Sequence, residues 1–437
     1  MEITFFGAAG EVGRSCIMIS SKETKILLDA GVKFEEQGTE FPRITDNELQ
    51  EIDGVVISHA HMDHSGYLPH IYTAGFKGKA YATKPTIELT NVLINDYMRL
   101  SKPANVTKEG LARLNKNFTI KEFKEEFKIK GLTITLIPAG HILGSAMIKV
   151  SDGKHTLVYT GDINLSRTRL LNGADLKSLN ADTLITESTY GAEKDEFRSE
   201  HETVTKFVAS IRDTLKRGGK VIVPSFAVGR AQEVLFIIDD YMSSGAIPKV
   251  PIYIDGMIQK VMKIHRHNVI YCRKELQSRI LMSDFDPFKS DNFTYVEKKS
   301  ARNGIVTGDE SSIIVTTSGM LSGGPILYYL QRMARNPLNK LILVGYQAEG
   351  TLGRQLQDGA KKVKVDGKDV EVQLDVETYH MSAHADRRQL ETIPKRINGL
   401  KNIFIVHGEK SKSESLRDAL KGRYNVVVPK SGEHFTV

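Results

Sequence analysis

The 437-residue sequence has no tryptophan and two cysteines, Cys16 and Cys272, which lie far apart along the chain. Two distant cysteines cannot build a disulfide framework, so a small disulfide-stabilised secreted fold is excluded. No apolar run approaches the ~18 residues that a membrane helix needs. The first residues, MEITFFGAAGEVGRS, carry an acid where a secretory signal carries base. These absences favour a cytoplasmic protein that does not enter a membrane, with metal ligands drawn mainly from histidine and carboxylate side chains.

The charge balance is modestly basic, with a formal net charge of +7. A basic excess suits a polyanionic partner, but a solvated lysine surface is the commoner cause. The composition, 40% hydrophobic and 26% charged, is that of a globular protein. The chain is long enough for two or three domains with at least one large core.

Short apolar runs bounded by Gly, Ser or Asp fill the first part of the chain and predict successive β-strands. They are ITFFG, CIMIS, KILLDAG, GVVISHAH, LTITLIPAGH, TLVYTGDIN and ADTLITESTYG, with a helical pattern after His64. From about Glu193, apolar strands alternate with helices, which predicts a parallel sheet covered on both faces. From about Val363, VEVQLDVETYHM and NIFIVHGE predict strands again. Sequence order leaves open whether the middle α/β unit is spliced into the β-rich unit or appended to it.

The segment Ser58–Gly66, SHAHMDHSG, concentrates imidazole and carboxylate at the end of a predicted strand. Zinc binds such ligands in compact shells. Side chains two apart in an extended segment share a face, so His59 and His61 are expected on one ion. Asp63 and His64 follow where the chain turns into a helix and are expected to project towards a second ion. The segment therefore predicts half of a two-metal site.

Further ligands must come from later loops, and three candidates also end apolar strands: His141, Asp162 and His407. A carboxylate such as Asp162 can bridge two ions with its two oxygens. The remaining histidines lack this placement and are interpreted as ordinary surface residues; they are His70, His155, His201, His265, His267 and His434.

With His141 in AGHILGSA and Asp162 in YTGD, the HAHMDH segment resembles the metallo-β-lactamase-fold hydrolases. The resemblance implies two zinc ions per chain, with Asp162 between them. It places Asp29, in LLDAG, in a supporting role behind the ligand loop. The implied ligands are His59, His61 and His141 for one ion and Asp63, His64 and His407 for the other.

Glu187 in ITESTYG, His384 in MSAHAD and His407 in IVHGE resemble motifs A, B and C of the β-CASP nucleases. PSFAVGRAQE, TSGM and GYQAEGTLGR are similar to the RNA 3′-end cleavage endonuclease subunits of the cleavage and polyadenylation specificity factor. The resemblance covers nearly the whole chain and implies an α/β protein, a metallo-β-lactamase αββα sandwich (1–192 and 361–437) with an inserted β-CASP domain (193–360). Since the first strand starts at once, the shorter archaeal type without KH domains is expected.

The resemblance implies a zinc-dependent ribonuclease that hydrolyses single-stranded RNA in 3′-end processing or decay. His384 is expected to protonate the leaving 3′-oxygen, and Glu187 to keep that imidazole charged. Asp63 is counted among the catalytic residues as well as the ligands. A histidine at motif C, here His407, is typical of RNA-acting members, whereas DNA-acting relatives usually lack it.

Small-residue loops at strand ends of the middle unit are expected to contact RNA phosphates. Backbone N–H groups near Ser225–Arg230 precede a helix and would face an anion, and the Arg230 guanidinium would add a forked contact. Glycines elsewhere would let the backbone approach closely. The predicted substrate-binding residues are Ser225, Gly229, Arg230, Ser318, Gly319, Gly353 and Arg354.

Other functions remain open at this point. A DNA-processing nuclease is opposed mainly by His407, and a non-catalytic RNA-binding scaffold is opposed by the complete ligand set. A hydrolase of small esters or lactams would lack both the middle domain and the pair Glu187 and His384. The balance between endonuclease and 5′→3′ exonuclease activity is not encoded in these motifs. The family resemblance allows a homodimer, which no pattern in the sequence shows.

Overall fold

The computed structural model describes residues 1–35, 38–101, 103–282 and 286–437. The chain forms two compact units. Unit 1 comprises Met1–Arg167, Leu171–Glu196 and Ala383–Val437, and unit 2 comprises Thr168–Leu170 and Phe197–Ser382. Unit 2 is therefore spliced into unit 1, which resolves the alternative that sequence order left open. No helix in the described ranges is long and apolar enough to span a bilayer.

Within its described residues, unit 1 begins with thirteen strands and five α-helices. The strands are β1 (Glu2–Phe5), β2 (Ile17–Ser21), β3 (Thr24–Leu28), β4 (Lys33–Glu35), β5 (Gly38–Glu40), β6 (Gly54–Val56), β7 (Lys79–Ala82), β8 (Phe118–Ile120), β9 (Glu126–Ile129), β10 (Leu132–Pro138), β11 (Ala146–Ser151), β12 (Thr156–Tyr159) and β13 (Thr183–Glu187). The helices are α1 (Asp46–Gln50), α2 (Met62–Ser65), α3 (Leu68–Thr73), α4 (Lys84–Ser101) and α5 (Lys108–Asn117).

Unit 2 contributes the next strands and helices. Its strands are β14 (Val221–Pro224), β15 (Ile252–Asp255), β16 (Phe293–Tyr295), β17 (Ile313–Thr316), β18 (Lys340–Leu343), β19 (Lys362–Val365), β20 (Lys368–Glu371) and β21 (Asp375–Thr378). Its helices are α6 (Glu200–Lys216), α7 (Arg230–Ser243), α8 (Ile258–His267), α9 (Lys274–Met282), α10 (Ala301–Thr307), α11 (Pro325–Met333) and α12 (Leu352–Gln357). Unit 1 is then completed by α13 (Arg387–Thr392), β22 (Asn402–Val406), α14 (Lys410–Leu420), β23 (Asn425–Val427) and β24 (His434–Thr436).

Unit 1 is a four-layered sandwich built on two seven-stranded sheets, in the orders β24-β1-β2-β3-β6-β7-β8 and β23-β22-β13-β12-β11-β10-β9. Ile17 of the first sheet and Ile134 of the second belong to one buried cluster, so the sheets face each other. The outer face of the first sheet packs under helices that include α3 and α5. The outer face of the second packs under α13 and α14. The predicted αββα sandwich is confirmed.

Unit 2 centres on a six-stranded sheet in the order β16-β15-β17-β14-β18-β21, parallel throughout. Ile222 and Ile314 pack on one face under α10, α11 and α12. Since side chains alternate across a strand, the buried neighbours Val223 and Val315 point to the opposite face, where α6, α7 and α8 contact the strands. All strands of a parallel sheet end at the same edge, so the loops that follow them meet there.

The domain bounds stay a prediction, and the compact units differ from them at residues 168–170, at 193–196 and, over the longest segment, at 361–382. This segment belongs to unit 2. Strand β21 pairs in parallel with β18, with Asp375 opposite Lys340. Val363 and Val370 of the β19–β20 hairpin pack into the core of unit 2. The apolar pattern in VEVQLDVETYHM indicated strands, but it carries no information on which sheet they join.

His265 is fully buried on α8, so its interpretation as a surface residue is wrong. Its Nδ1 atom lies 2.9 Å from the Val261 carbonyl oxygen, one helical turn earlier. The spacing of Ile258, Val261, Met262 and His265 follows the buried face of a helix. That periodicity was the signal in the sequence that placed His265 inside.

Candidate metal centre

Strand ends of unit 1 bring seven imidazole and carboxylate side chains into one cluster. The residues follow β6, β10, β12 and β22 or lie in the short helix α2, as the end-of-strand pattern predicted. Five of them are at most 4% exposed, and His61 and Asp63 are partly buried. The seven are His59, His61, Asp63, His64, His141, Asp162 and His407.

One group in this cluster comprises His59, His61, His141 and Asp162, whose ligand atoms all lie within 4.8 Å of one another. His61 Nδ1 is 3.1 Å from His141 Nε2. Asp162 Oδ2 is 3.4 Å from His59 Nε2 and 3.6 Å from His141 Nε2. Three imidazoles and one carboxylate oxygen therefore surround a common point.

A second group uses the other oxygen of Asp162. Its Oδ1 atom lies 3.3 Å from His64 Nε2 and 3.3 Å from His407 Nδ1. His407 Nε2 is in turn 3.2 Å from Asp63 Oδ2. The two oxygens of Asp162 thus face different groups, which is the arrangement of a carboxylate placed between two cations.

Neighbouring side chains of unit 1 hold the Nδ1 atoms of His59 and His64, which are the ring nitrogens directed away from the cluster. Asp29 is fully buried, and its Oδ2 lies 2.7 Å from His64 Nδ1. The same oxygen accepts hydrogen bonds from Ser58 Oγ at 2.7 Å and Tyr159 Oη at 2.8 Å. Ser58 Oγ is also 3.0 Å from His59 Nδ1. Such outer partners fix the ring orientation and leave Nε2 of His59 and His64 directed into the cluster.

The sequence motifs indicate Asp29 as a supporting residue, but they do not indicate Ser58 or Tyr159. Ser58 directly precedes His59, and Tyr159 lies in YTGD just before Asp162. Their adjacency to predicted ligands was the available signal. Their contact with Asp29 joins residues from three strand ends, which a local pattern does not reveal.

The donor set fits divalent cations of the zinc type. His59 Nε2, His61 Nε2 and Asp162 Oδ1 are buried and have no hydrogen-bond partner within the described part of the chain. Buried polar atoms are normally satisfied, so these three atoms indicate a missing partner. Nitrogen and oxygen donors in this number are what zinc binds.

Two imidazoles of the first group have protonation states that suit a metal, whereas at His64 burial is outweighed by the charges of Asp162 and Asp29, which raise the pKa well above its ordinary value. Burial lowers the pKa of His61 to about 3 and holds the pKa of His141 well below its ordinary value. Both are therefore neutral imidazoles, the form that coordinates a metal. Burial opposes ionisation of Asp162, but the neighbouring His407 and His64 charges outweigh it and hold the pKa of that carboxyl well below its usual range.

Beside the cluster lies the pair Glu187 and His384. His384 Nδ1 is 3.0 Å from both carboxylate oxygens of Glu187, which is fully buried at the end of β13. Burial lowers the pKa of His384, but the charges of Glu187 and Asp162 overcome it and raise that pKa to about 9. His384 Nε2 is 3.9 Å from Asp162 Oδ2. A protonated imidazole is therefore held next to the candidate metal ligands.

At the carboxyl edge of the unit 2 sheet, loops after β14, β17 and β18 carry the predicted substrate-binding residues. Three buried atoms here have no hydrogen-bond partner among the described residues: Ser225 Oγ, Ser318 Oγ and Gln347 Oε1. Gln347 Nε2 donates to the Gly319 carbonyl oxygen at 3.0 Å. Gln347, in the GYQ loop, was missed from the sequence, although the loop itself was identified.

Two glycines of this edge permit close packing of the loops. A Cβ atom on Gly353 would lie 1.7 Å from Gln347 Oε1. One on Gly319 would lie 2.9 Å from the Phe226 backbone nitrogen. A larger residue at Gly319 would therefore push the loops apart, and one at Gly353 would displace the Gln347 side chain.

Three of the backbone amides expected to face a phosphate are already engaged. Ser225 N donates to the Thr316 carbonyl at 2.8 Å, Gly229 N donates to the Gln232 side chain at 2.8 Å, and Arg230 N lies 3.0 Å from the Val228 carbonyl. The Arg230 residue is 8% exposed. Arg354 on α12 is exposed and pairs with Asp358 at 2.9 Å. Serine hydroxyls therefore remain as better donors here than these amides.

Three family models match the chain. They describe a metallo-beta-lactamase superfamily domain at residues 18–189, a Beta-Casp domain at 231–356 and a Zn-dependent metallo-hydrolase RNA specificity domain at 369–429. A relative from Methanothermobacter thermautotrophicus, named transcription termination factor FttA, is 37% identical over 97% of this chain and 69% of its own length. The protein of that name from Methanococcus maripaludis is 38% identical over 94% of this chain and 67% of its own.

The chain belongs to the β-CASP family of metallo-β-lactamase-fold nucleases. The predicted family and the predicted enzyme class, a metal-dependent nuclease, are confirmed. A solved structure of a protein of unknown function from Enterococcus faecalis V583 shares the fold of this β-CASP chain, with a TM-score of 0.58 and 13% identity. That match covers 100% of this chain and 99% of the other.

Proposed function

We propose that this β-CASP protein is a zinc-dependent endoribonuclease that cleaves single-stranded RNA with two zinc ions per chain. One observation carries the proposal: a charged imidazole, His384, lies 3.9 Å from Asp162, the carboxylate that faces both ligand groups. The match to an RNA specificity domain at residues 369–429 supports RNA as the substrate. The name of the relatives supports a role for cleavage in ending transcription.

The proposed ligand assignment follows the two groups of the cluster. Asp162 is shared, with Oδ2 directed to one group and Oδ1 to the other. When bound, two zinc ions supply an activated water and draw negative charge from the phosphate oxygens. The first ion is assigned to His59, His61 and His141, and the second to Asp63, His64 and His407.

His384 is the proposed general acid. Its Nδ1–H is held by Glu187, which leaves Nε2–H to donate a proton to the 3′-oxygen as the phosphodiester breaks. With a pKa of about 9, the imidazole carries that proton at neutral pH. Glu187 Oε1 also accepts a hydrogen bond from the Ile163 amide at 2.8 Å. One carboxylate thereby orients the acid and the backbone next to Asp162.

The loops at the carboxyl edge of the unit 2 sheet are proposed to bind the RNA backbone. Ser225 and Ser318 offer hydroxyl donors, and Gln347 offers an acceptor for a ribose hydroxyl. Gly229, Arg230, Gly319, Gly353 and Arg354 stay in the proposed set, the glycines because they allow the loops to pack closely. Hydroxyl and amide contacts of this kind read the backbone and carry little sequence preference.

The test is incubation with internally labelled and 5′-labelled RNA, with and without a chelator, beside a DNA strand of matched sequence. We expect internal fragments from RNA only, and no cleavage with chelator. Mononucleotides released from the 5′ end would identify exonuclease activity instead. Equal cleavage of DNA would favour a DNA-processing nuclease. No cleavage together with less than one bound metal ion per chain would favour a non-catalytic scaffold.

A further inference from the structure

The segments through which the chain leaves and re-enters unit 1 lie side by side. Asp195 and Glu196 end the outgoing segment, and Arg387 and Arg388 follow the return at residue 383. The Arg387 amide donates to the Asp195 carbonyl oxygen at 3.1 Å. The Arg388 guanidinium pairs with the Glu196 carboxylate at 2.6 Å. Two adjacent arginines thus link the outgoing and returning segments at the point where unit 2 is inserted into unit 1.

The two arginines differ in what their side chains contact. Arg387 is 6% exposed, and its Nε donates to Glu391 at 2.6 Å. Its Nη1 donates to the Gly191 carbonyl oxygen and, at 3.0 Å, to Ser415 Oγ. Its Nη2 donates to the Ser415 carbonyl oxygen at 3.2 Å. One guanidinium therefore joins the loop after β13 to helices α13 and α14.

The segments that Arg387 joins are close in sequence to the side chains proposed to react, Glu187 and His384. Gly191 closes the turn that follows Glu187, since its amide donates to the Ser188 carbonyl oxygen at 3.0 Å. The Ser188 amide donates to the His407 carbonyl oxygen at 3.2 Å. His384 lies three residues before Arg387 on the return segment. The Arg387 guanidinium thus joins the Glu187 loop to the segment that carries His384, and the Ser188 amide joins the same loop to His407.

We propose that Arg387 is a positioning residue for proton transfer, which holds the Glu187 and His384 loops where His384 reaches the leaving oxygen. This inference rests on the proposed function. Burying a guanidinium is unfavourable unless its donors are satisfied, and apolar side chains of similar volume often stabilise a fold as well as a buried ion pair does. The forked donors have a geometric role that lysine cannot reproduce, because an ammonium has no planar fork.

Arg388 provides a matched control at the adjacent position. Its side chain is 73% exposed, and its pair with Glu196 is a surface ion pair. Such surface ion pairs contribute little to the free energy of unfolding. We expect Arg388→Gln to match the wild type in zinc content and in cleavage.

The decisive experiment compares Arg387→Lys with Arg388→Gln on two substrates, RNA and bis(p-nitrophenyl) phosphate. A p-nitrophenolate leaves without protonation, so its release does not need a general acid. For Arg387→Lys we expect kcat on RNA to fall by about 10- to 100-fold, with zinc content kept and KM within about twofold. Hydrolysis of the nitrophenyl ester should change by less than about threefold. An equal loss on both substrates, or none on RNA, would overturn the proposal.

Hydrogen exchange gives a readout that does not depend on catalysis. We expect faster amide exchange at 188–192 and 382–386 in Arg387→Lys than in Arg388→Gln. Unchanged exchange there would overturn the positioning role. If the wild type hydrolyses the nitrophenyl ester but not RNA, the ribonuclease proposal fails, and exchange alone then decides whether Arg387 holds these loops.

Discussion

His384 Nδ1 lies 3.0 Å from each carboxylate oxygen of Glu187, although 197 residues separate the two in sequence. This contact pairs a buried carboxylate with an imidazole that reaches towards the shared ligand Asp162. A general acid must be protonated to act, so the charge of Glu187 sets the pH range in which His384 can work.

The first prediction concerns Glu187→Gln, which keeps an acceptor for the Ile163 amide but removes the charge beside His384. We expect the pKa of His384 to fall from about 9 towards its ordinary value of 6.5. Because activity is lost as pH rises through the pKa of the acid, the basic limb of the kcat/KM profile should move to lower pH by more than about one unit. An unshifted basic limb would contradict the pairing.

The His384→Ala variant is the control for Glu187→Gln. It should keep both zinc ions and cleave RNA about 10²–10⁴-fold more slowly, with no basic limb assignable to an imidazole. Metal analysis of the purified variant separates the roles. Loss of one zinc ion would make His384 a ligand and not an acid.

A second prediction concerns the carboxylate shared by the two ligand groups. Asp162→Ala removes both oxygens, Oδ1 and Oδ2, that face the imidazoles. We expect zinc to fall from two ions per chain to below one and RNA cleavage to be abolished. Full activity with both ions retained would show that Asp162 does not bridge.

A third prediction addresses the support behind the cluster. Tyr159→Phe removes the donor 2.8 Å from Asp29 Oδ2 without creating a cavity. We expect zinc affinity to fall about tenfold, because outer partners of metal-binding imidazoles typically contribute that much. Affinity is measured by competition with a fluorescent chelator. Tyr97→Phe is the matched control, since the Tyr97 hydroxyl donates to Thr39 instead, and there the affinity should stay unchanged.

A fourth prediction uses His265 in the core of unit 2. Burial lowers the pKa of His265 to about 4 from an ordinary value of 6.5. Between pH 6.5 and about pH 4, His265 binds a proton in the unfolded chain but stays neutral in the folded chain. The contribution of neutral His265 to the free energy of unfolding is thus complete above pH 6.5. It is lost as pH falls towards 4, by up to about 3 kcal/mol.

The comparison is between urea unfolding of the wild type and of His265→Leu, followed by circular dichroism from pH 7 to pH 4. Other buried histidines are shared by the two proteins, so their contributions cancel in the difference. The free energy of unfolding of the variant should depend less on pH. Equal pH dependence in both proteins would show that His265 titrates normally in the fold.

The sequence predicted which imidazole and carboxylate side chains lie together because most of them follow apolar strands, although these strands belong to two facing sheets. It did not predict the hydrogen bond from Tyr159 to Asp29, which depends on the register of β12 against distant strands. It indicated β21 as a strand but not its parallel pairing with β18, since the sheet that a strand joins is decided by tertiary packing. The engaged amide at Ser225 likewise depends on a partner outside the motif, the Thr316 carbonyl oxygen.

The cluster draws its members from positions as far apart as His59 and His407, with the whole of unit 2 between them. A ribosome must therefore translate the whole of unit 2 before the last imidazole of the cluster emerges. Nascent and prematurely terminated polypeptides therefore lack the means to cut nucleic acid. The complete cluster can therefore assemble only after unit 2 has been synthesised.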